Sequence, residues 1–233
     1  MVRSMSQPAL IGPLPARWAR PLFAVNAVVA WFAVGFQVFI SVSGMYPSQN
    51  TDPHLYGDPT QGFLGRLIDI LSYFTILSNV VVAVVMTMLW RAPRRTGWFF
   101  RALRLDSLMM ITITCIVYNA LLRSTTVNVG LNVYTDLLLH QVVPVVTVLV
   151  WLLAGPRRQF GLRDLLPALI VPLAWAAYAL IRGALIGAYP YDIVNVAKYG
   201  YGSVLLTIAI IIGFGIALGL IAIGIERLLS GRR

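Results

Sequence analysis

Residues 64–90 read LGRLIDILSYFTILSNVVVAVVMTMLW. The only charges before Trp90 are Arg66 and Asp69, both near the start. About 20 mostly apolar residues carry a helix across a bilayer core. Asp69, Ser72, Thr75 and Asn79 recur at spacings of three, three and four, with Ser78 alongside. That is the period of one helix face. The stretch therefore reads as a membrane helix with one polar stripe, and it sets the solvent for the whole chain.

The composition agrees. Of 233 residues, 59% are apolar and 11% charged, and mean hydropathy is +0.81. Soluble domains carry about 45–50% apolar and about 25% charged residues. This much apolar surface cannot be hidden inside a soluble globule of this size. A disordered chain, a secreted disulfide scaffold and a soluble enzyme are excluded. Cys115 is the single cysteine, so no intramolecular disulfide forms.

Six segments have spanning length. They run from Pro21 to Ser43, Leu64 to Trp90, Leu105 to Ser124, Thr135 to Ala154, Leu165 to Leu185 and Gly202 to Glu226. The expected fold is all-α: one membrane domain over residues 1–233, a compact six-helix bundle with short connections. The first segment has a basic flank like a signal peptide, but its apolar run is too long for one and reads as an anchor.

The net charge is +10, and its placement argues for topology rather than nucleic acid. Arg3, Arg17 and Arg20 precede the first segment. Arg91, Arg94, Arg95, Arg101 and Arg104 fall between the second and third, and Arg157, Arg158 and Arg163 between the fourth and fifth. Arg227, Arg232 and Arg233 close the chain. Fourteen of the 18 basic residues thus share one side, against Arg66, Arg123, Arg182 and Lys198 on the other. By the positive-inside rule both termini are cytoplasmic, in a multi-pass protein of the cell membrane.

Polar groups inside membrane segments are expensive and mark function. Besides the stripe above, the third segment carries Thr112, Asn119 and Arg123 on one face, with Tyr118 to the side. The fourth carries Asp136 and His140 at i, i+4, then Gln141 and Pro144. The fifth carries Trp175, Tyr178 and Arg182. All four faces are expected to point inward. At about 1.5 Å per residue, Asp69, Asn119 and His140 fall about 7–9 Å below the outer surface and Thr75 about 16 Å. Thr75 thus sits some two turns below His140. Pro144 removes the donor to the carbonyl four residues earlier, on His140, and predicts a kink there.

Two readings stay open for each chief residue. His140 is a structural hydrogen-bonding group between helices or a general base. Thr75 bonds back to its own helix or acts as a nucleophile activated by a neighbour. Asp69 reads as an ion pair with Arg66. The loop from Met45 through His54 to Gly62 and the run Tyr189-Pro190-Tyr191-Asp192 read as interfacial aromatics or as a lid. Gly215 and Gly219 read as a helix-packing face. No metal or cofactor is expected. His54 and His140 share no spacing motif, haem lacks a second ligand, the one lysine, Lys198, falls in a loop, and no P-loop, GxSxG or HExxH occurs.

Two stretches carry a resemblance: Tyr73-Phe74-Thr75-Ile76-Leu77-Ser78-Asn79, and Leu138-Leu139-His140-Gln141-Val142-Val143-Pro144. With Tyr189-Pro190-Tyr191, they resemble a bacterial six-helix membrane family related to the androgen-induced, FAR-17a-like proteins of animals. The likeness covers nearly the whole chain. The animal relatives are membrane threonine hydrolases that cleave fatty acid esters of hydroxy fatty acids. The resemblance implies Thr75 as nucleophile and His140 as base, acting on a lipid ester drawn from membrane lipids. Asn79, Tyr118 and Asn119 are then candidate oxyanion donors, and Asp69 or Asp136 orients the histidine. Arg123, Tyr178 and Arg182 complete the polar cluster. Two other functions fit the sequence: a small-molecule or lipid carrier, and a non-catalytic membrane regulator. The apolar run Val80 to Val85 leaves the inner half dry, which weighs against a channel.

Overall fold

The computed structural model describes residues 14–45, 62–124 and 128–230. Arg3, Arg232, Arg233 and most of the outer loop, including His54, lie outside the described residues. Among the described residues the chain is helical without strands. Six helices are long and apolar enough to cross a membrane: Arg17–Ser43, Phe74–Arg91, Trp98–Leu122, Asn132–Ala154, Leu162–Ile186 and Val196–Ser230.

Helix α1 (Ala16–Ser43) lies at the centre of the main core. Ala27, Ala30 and Ala33 are small enough to bring it close against α3 (Phe74–Arg91), whose Val82, Ala83 and Val85 are fully buried. Asn26 and Thr147 exchange hydrogen bonds of 3.2 and 3.3 Å, joining α1 to α6 (Val143–Ala154). Gly44 ends α1 in the left-handed conformation (φ 66°), where the Arg66 guanidinium leaves no room for a Cβ. A second core joins α4 (Trp98–Val117), α7 (Leu165–Ala168) and α9 (Val196–Ser230). Large apolar side chains also face outward, Leu166 and Leu185 among them.

Three departures from the sequence reading shape the site. The second segment is not one helix. Helix α2 (Phe63–Leu71) stops, Tyr73 is extended (φ −79°, ψ 132°), and α3 starts afresh at Phe74. The third span begins at Trp98, so Arg101 and Arg104 belong to a helix rather than a connection. In α9, Gly200 takes φ 72° and ψ 160°, and this kink precedes the long apolar run.

The end carrying the termini is not dry. The Arg104 guanidinium donates to Pro156 O (3.0 Å), Gln159 Oε1 (2.7 Å) and Glu226 Oε1 (3.3 Å). Glu226 Oε2 accepts the backbone N–H groups of Gln159 and Phe160 at 3.0 and 3.1 Å. Arg104 and Glu226 are 3% and 1% exposed, so this pair is enclosed and each charge answers the other.

Candidate active site

The site sits at the opposite end, built by three interruptions of regular helix. The first is the α2–α3 break. Ser72 and Tyr73 contain no Gly or Pro, so the break is held by tertiary partners. The Trp175 indole of α8 (Ile170–Ile186) donates to the Ser72 carbonyl at 2.9 Å. The Ser72 hydroxyl donates to Ile68 O at 2.7 Å and lies 2.8 Å from the Tyr178 hydroxyl. The Phe74 ring meets Trp175 edge-on at 5.0 Å. The Ser72 carbonyl released by the break is thus satisfied from α8. Thr75 becomes the second residue of a helix, where first-turn N–H groups lack helical acceptors.

The second is a π turn, Leu138–Val142, between α5 (Asn132–Leu137) and α6. Val143 donates its N–H to the Leu138 carbonyl, and Pro144 has no N–H. The Leu139 carbonyl therefore loses both helical donors. Asn79 Nδ2 reaches it at 3.3 Å and Thr75 O at 2.8 Å. One buried amide ties the Thr75 turn to the His140 turn. The sequence placed the freed carbonyl on His140; the wider turn brings in Leu139. The third interruption is a second π turn, Tyr118–Leu122, closing α4.

Together these bring Thr75 Oγ1 to 3.1 Å from His140 Nε2. The two-turn offset expected from sequence is absent: that count assumed a single helix from Leu64 and started the fourth span at Thr135, whereas α3 starts afresh at Phe74 and α5 at Asn132. His140 Nδ1 lies 2.9 Å from Asp136 Oδ1 and 3.2 Å from the Asp136 carbonyl. Both are acceptors, so Nδ1 carries the proton and Nε2 is left to accept from Thr75. The Tyr118 ring stacks on the imidazole at 3.7 Å and 10°.

Tyr191 completes the group. The Thr75 N–H donates to its hydroxyl at 3.1 Å, which leaves the tyrosine proton directed to Thr75 Oγ1, also 3.1 Å away. Burial pushes Tyr191 up to about 12, so it is a neutral donor at physiological pH. Sequence reading placed Tyr191 in an interfacial belt or lid. Its only local signal was the Tyr-Pro-Tyr run.

The other sequence candidates divide. Asp69 is buried and accepts from Arg182 at 3.3 Å, away from the histidine, so Asp136 alone orients His140. Tyr178 serves the helix break. Asn119 and Arg123 are exposed, against the expectation of an inward face: they occupy the last turn, where polar side chains reach past the bundle. Asn119 donates to Cys115 O (2.7 Å) and accepts from Arg123 and Gln141. The donors of Asn79 are spent on backbone carbonyls, and the Tyr118 hydroxyl is bonded to Asp136. None of these three is left to hold an oxyanion beside Thr75. The donor in place is the Tyr191 hydroxyl, 3.1 Å from Thr75 Oγ1; the N–H groups that open α3 are bonded, that of Thr75 to Tyr191 and those of Ile76 and Leu77 to the Tyr73 carbonyl. Among the described residues no three His, Cys, Asp or Glu side chains converge on a metal position.

A cleft of about 850 Å³, open mouth included, runs from the site between α4, α8 and α9. Thr75, Tyr118 and Tyr191 line its top and Met109, Leu169 and Gly215 its far end; nearly all of its wall is apolar.

Fold and site define an all-helical chain with six helices of membrane-spanning length and an Asp–His–Thr chain at the mouth of an apolar cleft. No known protein family, curated protein or solved structure matches it.

Proposed function

We propose that the protein is a multi-pass membrane acyl-ester hydrolase with Thr75 as nucleophile, His140 as general base and Asp136 as the group that orients it. One observation carries this: two hydrogen bonds, 2.9 and 3.1 Å, link the Asp136 carboxylate through both imidazole nitrogens to the Thr75 hydroxyl. A histidine needed only for packing has no reason to present its free nitrogen to a hydroxyl at a cleft mouth. The resemblance to the FAR-17a-like threonine hydrolases points to the same pair. Outward-facing leucines and the one-sided arginines support a cell-membrane location with cytoplasmic termini and a site towards the outer leaflet.

The chemistry follows the acyl-transfer pattern. His140 Nε2 takes the Thr75 proton as Oγ1 attacks the ester carbonyl. The Tyr191 hydroxyl turns its proton from Thr75 Oγ1 to the charged carbonyl oxygen, beside the positive N-terminal end of α3. The imidazolium then protonates the departing alkoxide and an acyl-threonine remains. Water, deprotonated by His140, attacks this ester, releasing the acid and restoring the Thr75 hydroxyl. No cofactor enters any step.

The test is labelling of the purified protein with a fluorophosphonate, whose phosphorus takes the place of the ester carbonyl. Wild type labels, and Thr75→Ala and His140→Ala do not, while both variants melt as wild type. Labelling retained in folded Thr75→Ala removes threonine as nucleophile.

A further inference from the structure

The cleft has a measurable depth below Thr75, while Leu122 and Tyr191 line its outer part. On α3, Ser78 contacts Thr114 of α4 through a 2.8 Å hydroxyl pair. The two helices run antiparallel, so Thr75, three residues earlier, is level with Val117. From Val117 to Met109 is eight residues of α4, or about 12 Å. Across the cleft, α8 gives a similar figure: Ala176 to Leu169 is seven residues, about 10 Å. The far end is closed by close packing. A Cβ on Gly215 would stand 3.2 Å from Ile113 Cδ1 and 3.8 Å from Met109 Cε, and one on Gly219 would stand 3.0 Å from Met109 Sδ.

We infer that this cleft is the acyl subsite of the reaction proposed above, cut to a linear, unbranched chain of about ten carbons, with Met109 and Gly215 setting its length. An extended chain advances about 1.2 Å per bond, so ten bonds fill about 12 Å. The wall offers a chain methylenes and aromatic edges. Its polar groups lie almost wholly at the top, where the ester carbonyl meets Thr75. The alcohol half stays outside at the mouth. The inference rests on the hydrolase reading and adds to it which acyl group is taken.

Linear alkyl fluorophosphonates from butyl to hexadecyl test it. Thr75 Oγ1 attacks phosphorus, its proton passes to His140 and fluoride leaves, so the alkyl arm takes the acyl position. In wild type the labelling rate climbs with length, by up to about fourfold per buried methylene, and stops climbing near decyl. Gly215→Leu fills the far end and lowers the decyl-to-butyl rate ratio at least tenfold. Met109→Ala opens it and moves the plateau past decyl. Each probe partitions into detergent equally for every variant, so partition cancels when the variants' length profiles are divided by that of wild type. A length profile unchanged in both variants overturns the inference and leaves the hydrolase standing; the cleft then merely holds bulk lipid. No labelling of folded wild type by any probe overturns both.

Discussion

Asparagine at position 136 keeps the shape of the aspartate and removes its charge. The carboxylate lies 2.9 Å from His140 Nδ1, and the two side chains are only 20% and 13% exposed, so solvent dilutes the interaction little. A hydrogen bond to a charged group contributes about 1.5–3 kcal/mol, which corresponds to about 10- to 150-fold in rate. The loss should not exceed that range. The Asp136 carbonyl, 3.2 Å from the same nitrogen, is untouched by the substitution and keeps Nδ1–H pointing the same way. A triad that adopts the wrong tautomer loses roughly 10⁴-fold instead. The assay is the second-order rate of fluorophosphonate labelling for wild type, Asp136→Asn and His140→Ala, with melting followed in the same detergent. A rate within twofold of wild type would show that Asp136 does not serve the histidine. A loss as complete as that of His140→Ala would show that the carbonyl does not hold the ring.

Asn79→Ala removes both bonds from the buried amide to the Thr75 and Leu139 carbonyls, costing about 2 kcal/mol at about 1 kcal/mol each; lowered melting together with slowed labelling is the expected pair. Tyr191 has its pKa raised by burial to about 12, above the ordinary tyrosine value near 10. The folded chain holds this proton more tightly than the unfolded one, so the stabilisation is whole below about pH 10 and fades as pH climbs towards 12. Tyr191→Phe should flatten that alkaline fall in melting temperature, and an unaltered fall would place its cause elsewhere. Glu226→Ala strands the enclosed Arg104 charge and should cost about 3–5 kcal/mol, with the melting temperature as readout.

The helices of membrane-spanning length were legible because hydropathy and helical period are local properties. So was the pairing of Asp136 with His140, which needs only a spacing of four on one helix. The break at Ser72 was not. Its residues carry no breaker, and its partners, Trp175 and Tyr178, are more than 100 positions away. That miss, with a fourth span that starts at Asn132 rather than Thr135, produced the two-turn offset between Thr75 and His140. Pro144 did announce a disturbed helix, but whether it would be a kink or a π turn depends on what takes the spare carbonyl, and Asn79 comes from another helix. Arg104 read as a loop charge because Glu226 lies 122 residues further on. Tyr191 looked like one more interfacial aromatic until the fold placed its hydroxyl on Thr75.

The Arg104–Glu226 pair also imposes an order on biogenesis. The chain is made from its N-terminus, so Arg104 is in place long before Glu226 leaves the ribosome. Through the synthesis of more than a hundred residues, the guanidinium lacks the carboxylate that will neutralise it. α9 is therefore the latch of the fold as well as its last helix. A product that ends before residue 226 leaves the Arg104 charge uncompensated, so the last helix to be made decides whether the earlier-made charge is neutralised.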